Sequence, residues 1–219
     1  MRILLVEDER YIGAAHKVIL NQYYYTVDVV TDDENMFYAL KTGYFSVVIL
    51  NNTQLGKKRF DTLKRLRKFG NDTPFLVISD SCEHQDRIYA LNECGANDYL
   101  CKPFSIEELL VRLGLLIKGS GDRRDDTIVS QNVSVSVNAH KVWVAEEEVL
   151  LTPTEFKLLV FFMSNLGKVL NKSKILEHLH GWDIDSGFNS VEVHIFNLRK
   201  KMPGVEIKNV RGVGYLIDR

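Results

Sequence analysis

Apolar residues in the first half of the chain fall in short, almost unbroken runs, at residues 3–6, 27–30, 47–50, 75–79 and 99–100. Runs without alternation suit strands buried on both faces. Between them lie amphipathic stretches of helix length, residues 10–21, 34–41, 59–68, 85–93 and 106–117. The last begins with Ser105 and Glu108, the spacing of a capping box. A strand–helix repeat of this kind predicts an α/β domain with a doubly wound, five-stranded parallel sheet. Ligand chemistry in such sheets gathers at the carboxyl ends of the strands.

The pattern changes after residue 118. Residues 119–126 are polar and charged throughout and read as a linker. Residues 133–137 then alternate Val-Ser-Val-Ser-Val, a half-buried strand, and Asn138-Ala139-His140 makes a turn into a second strand at 141–144. Leu150 and Leu151 are expected to close a small antiparallel sheet. Three helices follow. The first opens on Thr152, Pro153 and Glu155, which supply an N-cap, a first-turn proline and a capping-box partner. The second spans about 172–180 and the third about 190–202 behind Asn189. A hairpin closes the chain, with strands at 206–210 and 215–217 around Arg211-Gly212-Val213-Gly214. Strands, three helices and a terminal hairpin make a winged helix-turn-helix over residues 127–219, behind an α/β domain over 1–118.

On a helical wheel Val191, Ile195, Leu198 and Met202 fall within ~60° of one another and should face the core. The opposite face carries Val193, Phe196, Asn197 and Lys200, flanked by Ser190 and His194 on one side and Arg199 on the other. Asn can bond adenine bidentately, Val can touch a thymine methyl, and Arg and Lys reach guanine or phosphate. The formal net charge is −1, so bulk charge does not announce a nucleic-acid binder. From Lys157 onward, however, ten basic residues stand against six acidic ones. Phosphate neutralisation supplies most non-specific DNA affinity, so this region must supply it, with Lys201 and the hairpin-tip Arg211 among the cations.

Composition narrows the remaining classes. Hydrophobic residues make up 45% and charged residues 26%, an ordinary globular balance. No apolar run approaches the ~18 residues of a membrane span. The apolar stretch after Arg2 is short and ends in Glu7 and Asp8, so a signal peptide is not expected and the chain should stay in the cytoplasm. Cys82, Cys94 and Cys101 are odd in number and lack metal-ligand spacing, which argues against a disulfide framework and against zinc. Three reduced thiols are expected; oxidation of Cys94 or Cys101 is the sensor-class alternative. No cofactor and no resident metal are expected.

The string Ser190-Val191-Glu192-Val193-His194-Ile195-Phe196-Asn197-Leu198-Arg199-Lys200-Lys201, followed by Val210-Arg211-Gly212-Val213-Gly214-Tyr215, resembles the signature of the OmpR/PhoB family of response regulators. Gly181-Trp182-Asp183 and Glu192-Val193-His194 place the resemblance nearest the PmrA/QseB-like branch. It implies a cytoplasmic regulator, not an enzyme, that binds double-stranded promoter DNA as a homodimer. It further implies that the third helix is the recognition helix, Arg211 the wing arginine, and the loop 181–188 a segment able to contact RNA polymerase.

By the same resemblance Glu7 and Asp8 are the acidic pair of a receiver, Ser79 the switch hydroxyl, Tyr99 the switch aromatic and Lys102 the phosphate-pairing lysine. The phospho-accepting aspartate is absent: Asn51 ends the third strand. A neutral amide cannot form an acyl phosphate and removes a charge from the Mg²⁺ site. Leu55 stands where a proline is usual, Asp80 where a small residue is usual, and Lys57-Lys58-Arg59 where a turn is usual. The basic tripeptide could offset Glu7 and Asp8 in place of a metal. One extra residue lies within 91–95, which should shift the fourth helix against the fifth strand. In the family the fourth helix, fifth strand and fifth helix form the dimer interface, for which this chain offers Arg87, Asp98, Glu107, Glu108 and Arg112, with Asn97 weakening the charge network. These departures predict a phosphorylation-independent receiver held in a dimer and put a cognate histidine kinase in doubt. Phosphoryl acceptance through another residue lacks a carboxylate at Asn52 or Thr53, and loss of DNA binding conflicts with the intact third helix.

Overall fold

The computed structural model describes residues 1–52, 57–119, 127–130, 132–137, 139–182 and 190–218, without the side chains of residues 57, 58, 118 and 190. The chain divides into two compact units. One comprises Arg2–Gln22 and Val27–Gly121; the other is Asp122–Arg219, with which Met1 and Tyr23–Thr26 are grouped. Among the described residues no helix is long and apolar enough to cross a membrane.

The first unit is a strand–helix alternation: β1 (Arg2–Val6), α1 (Arg10–Gln22), β2 (Thr26–Val30), α2 (Asp33–Thr42), β3 (Val47–Asn52), α3 (Lys57–Lys68), β4 (Phe75–Ser79), α4 (His84–Ile88), β5 (Asp98–Cys101) and α5 (Ile106–Lys118). The strands form a five-stranded parallel sheet in the order β2-β1-β3-β4-β5. Every residue of β1 and β4 is buried, as their unbroken apolar runs require. Helix α1 lies close on the sheet at Gly13, where a Cβ would stand 2.9 Å from Val29 Cγ1. The order reverses between β1 and β3, so the ends of those strands flank the crevice where such sheets do their chemistry.

The segment after α4 changes its winding. Tyr89–Glu93 winds as a π turn, with Cys94 N donating to Tyr89 O at 3.1 Å. A π turn holds one residue more than an α turn, and this one overlaps the stretch 91–95 where the extra residue is expected.

The second unit contains a four-stranded antiparallel sheet, β6 (Thr127–Ser130), β7 (Val133–Ser136), β8 (Lys141–Val144) and β9 (Glu147–Glu148), then α6 (Pro153–Met163), α7 (Lys172–His180), α8 (Ser190–Lys201) and the hairpin β10 (Ile207–Val210) and β11 (Gly214–Ile217). One expectation is corrected here. Leu150 and Leu151 are not a strand; the sheet is closed by Glu147–Glu148 after a two-residue turn in which Ala145 and Glu146 have φ of 51° and 71°. Such a turn usually announces itself with Asn-Gly, and Ala-Glu hides it. The first strand, Thr127–Ser130, begins directly after the stretch read as linker, ahead of the alternating run at 133–137.

Helix α6 opens on the expected capping box, with Thr152 N donating to Glu155 Oε2 at 2.9 Å and Glu155 N donating to Thr152 Oγ1 at 3.4 Å. Asn171 caps α7 by accepting from Lys174 N at 2.8 Å. The hairpin is anchored by a backbone pair, Leu170 N to Tyr215 O at 2.8 Å and Tyr215 N to Leu170 O at 2.9 Å. Gly214 permits this approach: a Cβ there would stand 2.0 Å from the Leu170 carbonyl oxygen.

Candidate functional site

The carboxyl ends of β1, β3, β4 and β5 bring Glu7, Asp8, Asn51, Ser79 and Lys102 to one edge of the parallel sheet. Glu7 and Asn51 are buried. Glu7 uses both carboxylate oxygens: Oε1 accepts from Glu9 N at 3.1 Å and Oε2 from Asn51 Nδ2 at 2.5 Å. An aspartate at residue 51 would set a second carboxylate against Glu7; the amide donates to it instead. Arg59, from α3, enters from the other side. Its Nη2 lies 3.2 Å from Asp8 Oδ1, its Nε 3.8 Å from Asp33 Oδ1, and its Nη1 donates to the main-chain carbonyl of Asn51. Only 12% of this side chain remains exposed. A planar cation with a fork of donors suits a cluster of carboxylate and carbonyl oxygens.

These residues do not fit a divalent metal. Magnesium demands a near-octahedral set of free oxygens. Here the Glu7 oxygens are hydrogen-bonded, Asp8 faces a guanidinium, and a neutral amide replaces the third carboxylate. Asn51 Oδ1 lacks a hydrogen-bond partner among the described residues, but one neutral oxygen does not make such a site.

The phosphate side of the pocket is also filled. Lys102 Nζ lies 3.5 Å from Asp80 Oδ1. Ser79 is buried and its hydroxyl accepts from Ser81 N at 3.1 Å. Tyr99 is turned inward, with its hydroxyl donating to Ser81 O at 2.8 Å, and burial pushes its phenol above the usual range. Sequence reasoning set the basic tripeptide 57–59 against Glu7 and Asp8 without singling out Arg59, and flagged Asp80 as unusual without giving its partner. Asp33 carried no signal at all. Thr53 and Leu55 lie outside the described residues, as do the side chains of Lys57 and Lys58.

On the α4–β5–α5 face Arg112 joins two acids of its own chain, Asp98 at 2.9 Å and Glu108 at 2.8 Å. Arg87 and Glu107 are exposed, and Ile88, Val111 and Leu115 add apolar surface to the charged set. Asn97 does not belong to this network. Its Oδ1 accepts from Arg67 Nη2 at 2.7 Å and Phe75 N at 2.9 Å, so it braces α3 against the sheet.

In the second unit α8 divides as its wheel requires: Val191, Ile195, Leu198 and Met202 are buried, while Val193 is 53% and Phe196 66% exposed. His194 and Asn197 are half-buried, and burial lowers the His194 pKa while Glu155 opposes it. Ser190 opens the helix; its side chain lies outside the described residues, as does Asn189. The basic residues separate into two groups. Lys201 is tied to Glu155 at 2.7 Å, Arg199 donates to Ile207 O at 2.5 Å, Lys208 pairs with Asp218 at 2.5 Å, and Lys172 pairs with Glu192 at 2.9 Å. Lys200, Lys174 and Arg211 are exposed and form no ion pair among the described residues. Arg211 precedes Gly212, whose φ of 73° turns the hairpin tip. Of the loop 181–188, residues 183–188 lie outside the described residues.

Comparison with known proteins accounts for both units. Residues 3–114 match the response regulator receiver domain, and residues 146–217 match the C-terminal domain of transcriptional regulatory proteins. The transcriptional regulatory protein QseB of Haemophilus influenzae is 35% identical over 219 residues, covering 100% of this chain and 99% of that protein. The response regulator protein PmrA of Pseudomonas aeruginosa is 35% identical over 219 residues, with the same coverage of 100% and 99%. The solved receiver domain of the Francisella response regulator 1452 is 27% identical with a TM-score of 0.50, covering 53% of this chain and 96% of that one.

Proposed function

The chain belongs to the OmpR/PhoB-type response regulators, with a receiver domain and a DNA-binding transcription regulatory domain, and on that premise we propose that it controls promoters by sequence-specific DNA binding, as a dimer, without phosphorylation of its receiver. The observation that carries this reading is the Arg59 guanidinium among Asp8, Asp33 and the Asn51 carbonyl, beside an amide where the reaction needs a carboxylate. With no nucleophile and no free acidic pair for a metal, phosphoryl transfer has neither acceptor nor electrostatic support. A histidine kinase has nothing to deliver to this pocket.

The working parts are the receiver over 1–118, a linker over 119–126 and the winged helix over 127–219. The recognition helix α8 offers Val193, His194, Phe196 and Asn197 to base edges, with Ser190 at its start. Lys200 and Arg211 offer charge to phosphates or to a narrow minor groove. Arg199 and Lys201, though expected at DNA, are engaged within the domain and act there first as braces. The dimer forms through α4–β5–α5, where Ile88, Val111 and Leu115 supply apolar contact and Arg87, Asp98, Glu107, Glu108 and Arg112 supply register. RNA polymerase is the partner proposed for the loop 181–188.

The test is intact mass after incubation with a small-molecule phosphodonor and Mg²⁺, paired with DNA binding before and after. No added phosphoryl group and unchanged binding are expected. Stoichiometric phosphorylation overturns the reading.

A further inference from the structure

The cysteines do not behave as three separate thiols. Cys94, expected to be a candidate for oxidation, is only 1% exposed in the receiver core, and burial raises its thiol pKa. Cys82 and Cys101 are different. Cys82 lies in the loop after β4 and is exposed; Cys101 ends β5 and is half-buried. The register Ser79↔Cys101 brings that loop directly over the end of β5. The two thiols then make reciprocal contacts: Cys82 Sγ lies 4.0 Å from Lys102 O, and Cys101 Sγ lies 4.0 Å from Ser81 O. Arg87 Nη2 stands 4.0 Å from Cys101 Sγ.

We infer that Cys82 and Cys101 are a redox-active dithiol, closed to an intramolecular disulfide by a hydroperoxide. Cys101 is the attacking sulfur, because the Arg87 guanidinium faces the negative charge it carries during attack. Cys82 is the resolving thiol. The neighbouring Cys101 thiol raises the pKa of Cys82 and keeps it protonated, an effect that burial reinforces and Arg87 opposes. In the first step the Cys101 sulfur attacks one peroxide oxygen and the O–O bond breaks. The leaving oxygen takes a proton and departs as water or an alcohol, leaving a sulfenic acid on Cys101. In the second step the Cys82 sulfur attacks the sulfenic sulfur. The S–S bond forms, the S–O bond breaks, and the hydroxyl leaves as water with the Cys82 proton. Two thiols have lost two electrons and two protons, and one peroxide has been reduced.

The site is coupled to the fold around it. The Ser81 hydroxyl holds Asp86 of α4 at 2.6 Å, and the Ser81 carbonyl accepts from Tyr99 at 2.8 Å. A disulfide at the next residue fixes this loop to β5 and turns the thiol that Arg87 faces into a neutral disulfide sulfur. The inference rests on the receiver unit alone and is independent of whether the receiver accepts phosphate.

The test uses the reduced full chain, treated with hydrogen peroxide and then denatured for thiol counting by mass. The three thiols should fall to one, with the loss of two hydrogens and a peptide map joining Cys82 to Cys101. Cys82→Ser should lose the disulfide and accumulate a sulfenic acid on Cys101 that a dimedone probe captures. Three thiols persisting in the wild-type protein would refute the inference without any variant. A link involving Cys94, or one joining two chains, overturns it equally.

Discussion

Replacing Arg59 with methionine keeps most of the side-chain volume and removes the charge from the receiver pocket. At 3.2 Å from Asp8 and 3.8 Å from Asp33, the gross attractions are roughly 5 and 4 kcal/mol at an effective dielectric of 20. Neither figure is a net stability. The Asp8 side chain is 37% exposed and partly screened by solvent, and burying the guanidinium has its own desolvation cost. Removing one partner of a fully buried pair costs about 3–5 kcal/mol; discounting for exposure leaves about 2 kcal/mol here. That moves a urea midpoint by about 1 M for a domain of this size. The expectation has a second half. With the guanidinium gone, Asp8 and Asp33 lose the cation that both approach, so millimolar Mg²⁺ should recover part of the loss in Arg59→Met and do nothing for the wild type. Trp143 and Trp182 both lie in the winged-helix unit, so tryptophan fluorescence would miss the event. Hydrogen exchange at the amides of β1 and β3, followed across urea, reads it directly. If Mg²⁺ protects the wild type as strongly as the variant, or if Arg59→Met is as stable as the wild type, the guanidinium does not stand in for a metal.

On DNA, Asn197→Ala should cost about 1–3 kcal/mol on a cognate site and relax the preference at one base position, whereas Lys200→Ala and Arg211→Ala should weaken cognate and scrambled duplexes alike and each lower the salt slope by about one unit; a salt series on both duplexes decides, and an unchanged cognate-to-scrambled ratio for Asn197→Ala puts the wrong face of α8 in the groove. In the winged helix, burial pushes the Glu155 carboxyl up, but hydrogen bonds from Lys201 and from Thr152 outweigh it and hold the group below its usual value. A depressed carboxylate contributes stability above its unfolded value of about 4.3, and that contribution is lost as pH falls through the folded value. Lys201→Met should therefore destabilise this unit by about 1–2 kcal/mol at neutral pH and move its acid transition to higher pH. Here tryptophan fluorescence is the right probe, and an acid limb identical to the wild type's counts against the pairing.

What the sequence disclosed follows a physical division. The parallel strands were legible because each is buried on both faces and so writes a continuous apolar run. The core face of α8 was legible because Val191, Ile195, Leu198 and Met202 repeat at helical spacing, and the caps at Ser105 and Thr152 because an N-cap is a local chemical requirement. The π turn at Tyr89–Glu93 left no mark in the apolar pattern. Edge structure was harder. The strand Thr127–Ser130 has no buried residue, so it writes no run, and the turn at Ala145 and Glu146 uses residues that do not signal positive φ. Leu150 is 83% exposed although it looked like a strand residue, since an apolar pair has no periodicity to test. The candidate sites split the same way. Residue identity at positions 7, 8, 51, 79, 99 and 102 was readable. The pairings Arg59 with Asp33, Lys102 with Asp80, Lys201 with Glu155 and Cys82 with Cys101 join residues far apart in sequence, and only the folded chain brings them together.

On the proposed reading, the pairings also account for why Asn51 does not stand alone as a departure. A phosphorylatable pocket keeps two charges unsatisfied: acids that wait for a cation and a lysine that waits for an anion. Removing the nucleophile alone would leave both waiting inside a partly buried site, where uncompensated charge is costly. In this chain the first need is met by Arg59 and the second by Asp80, each within salt-bridge distance of its group. Asn51 then does what a carboxylate could not do, donating to buried Glu7 rather than repelling it. The three residues are physically consistent with one another: a carboxylate restored at residue 51 would still meet a resident guanidinium and a lysine already paired. Under the proposed function, that mutual consistency is what a receiver complete in charge without phosphate requires.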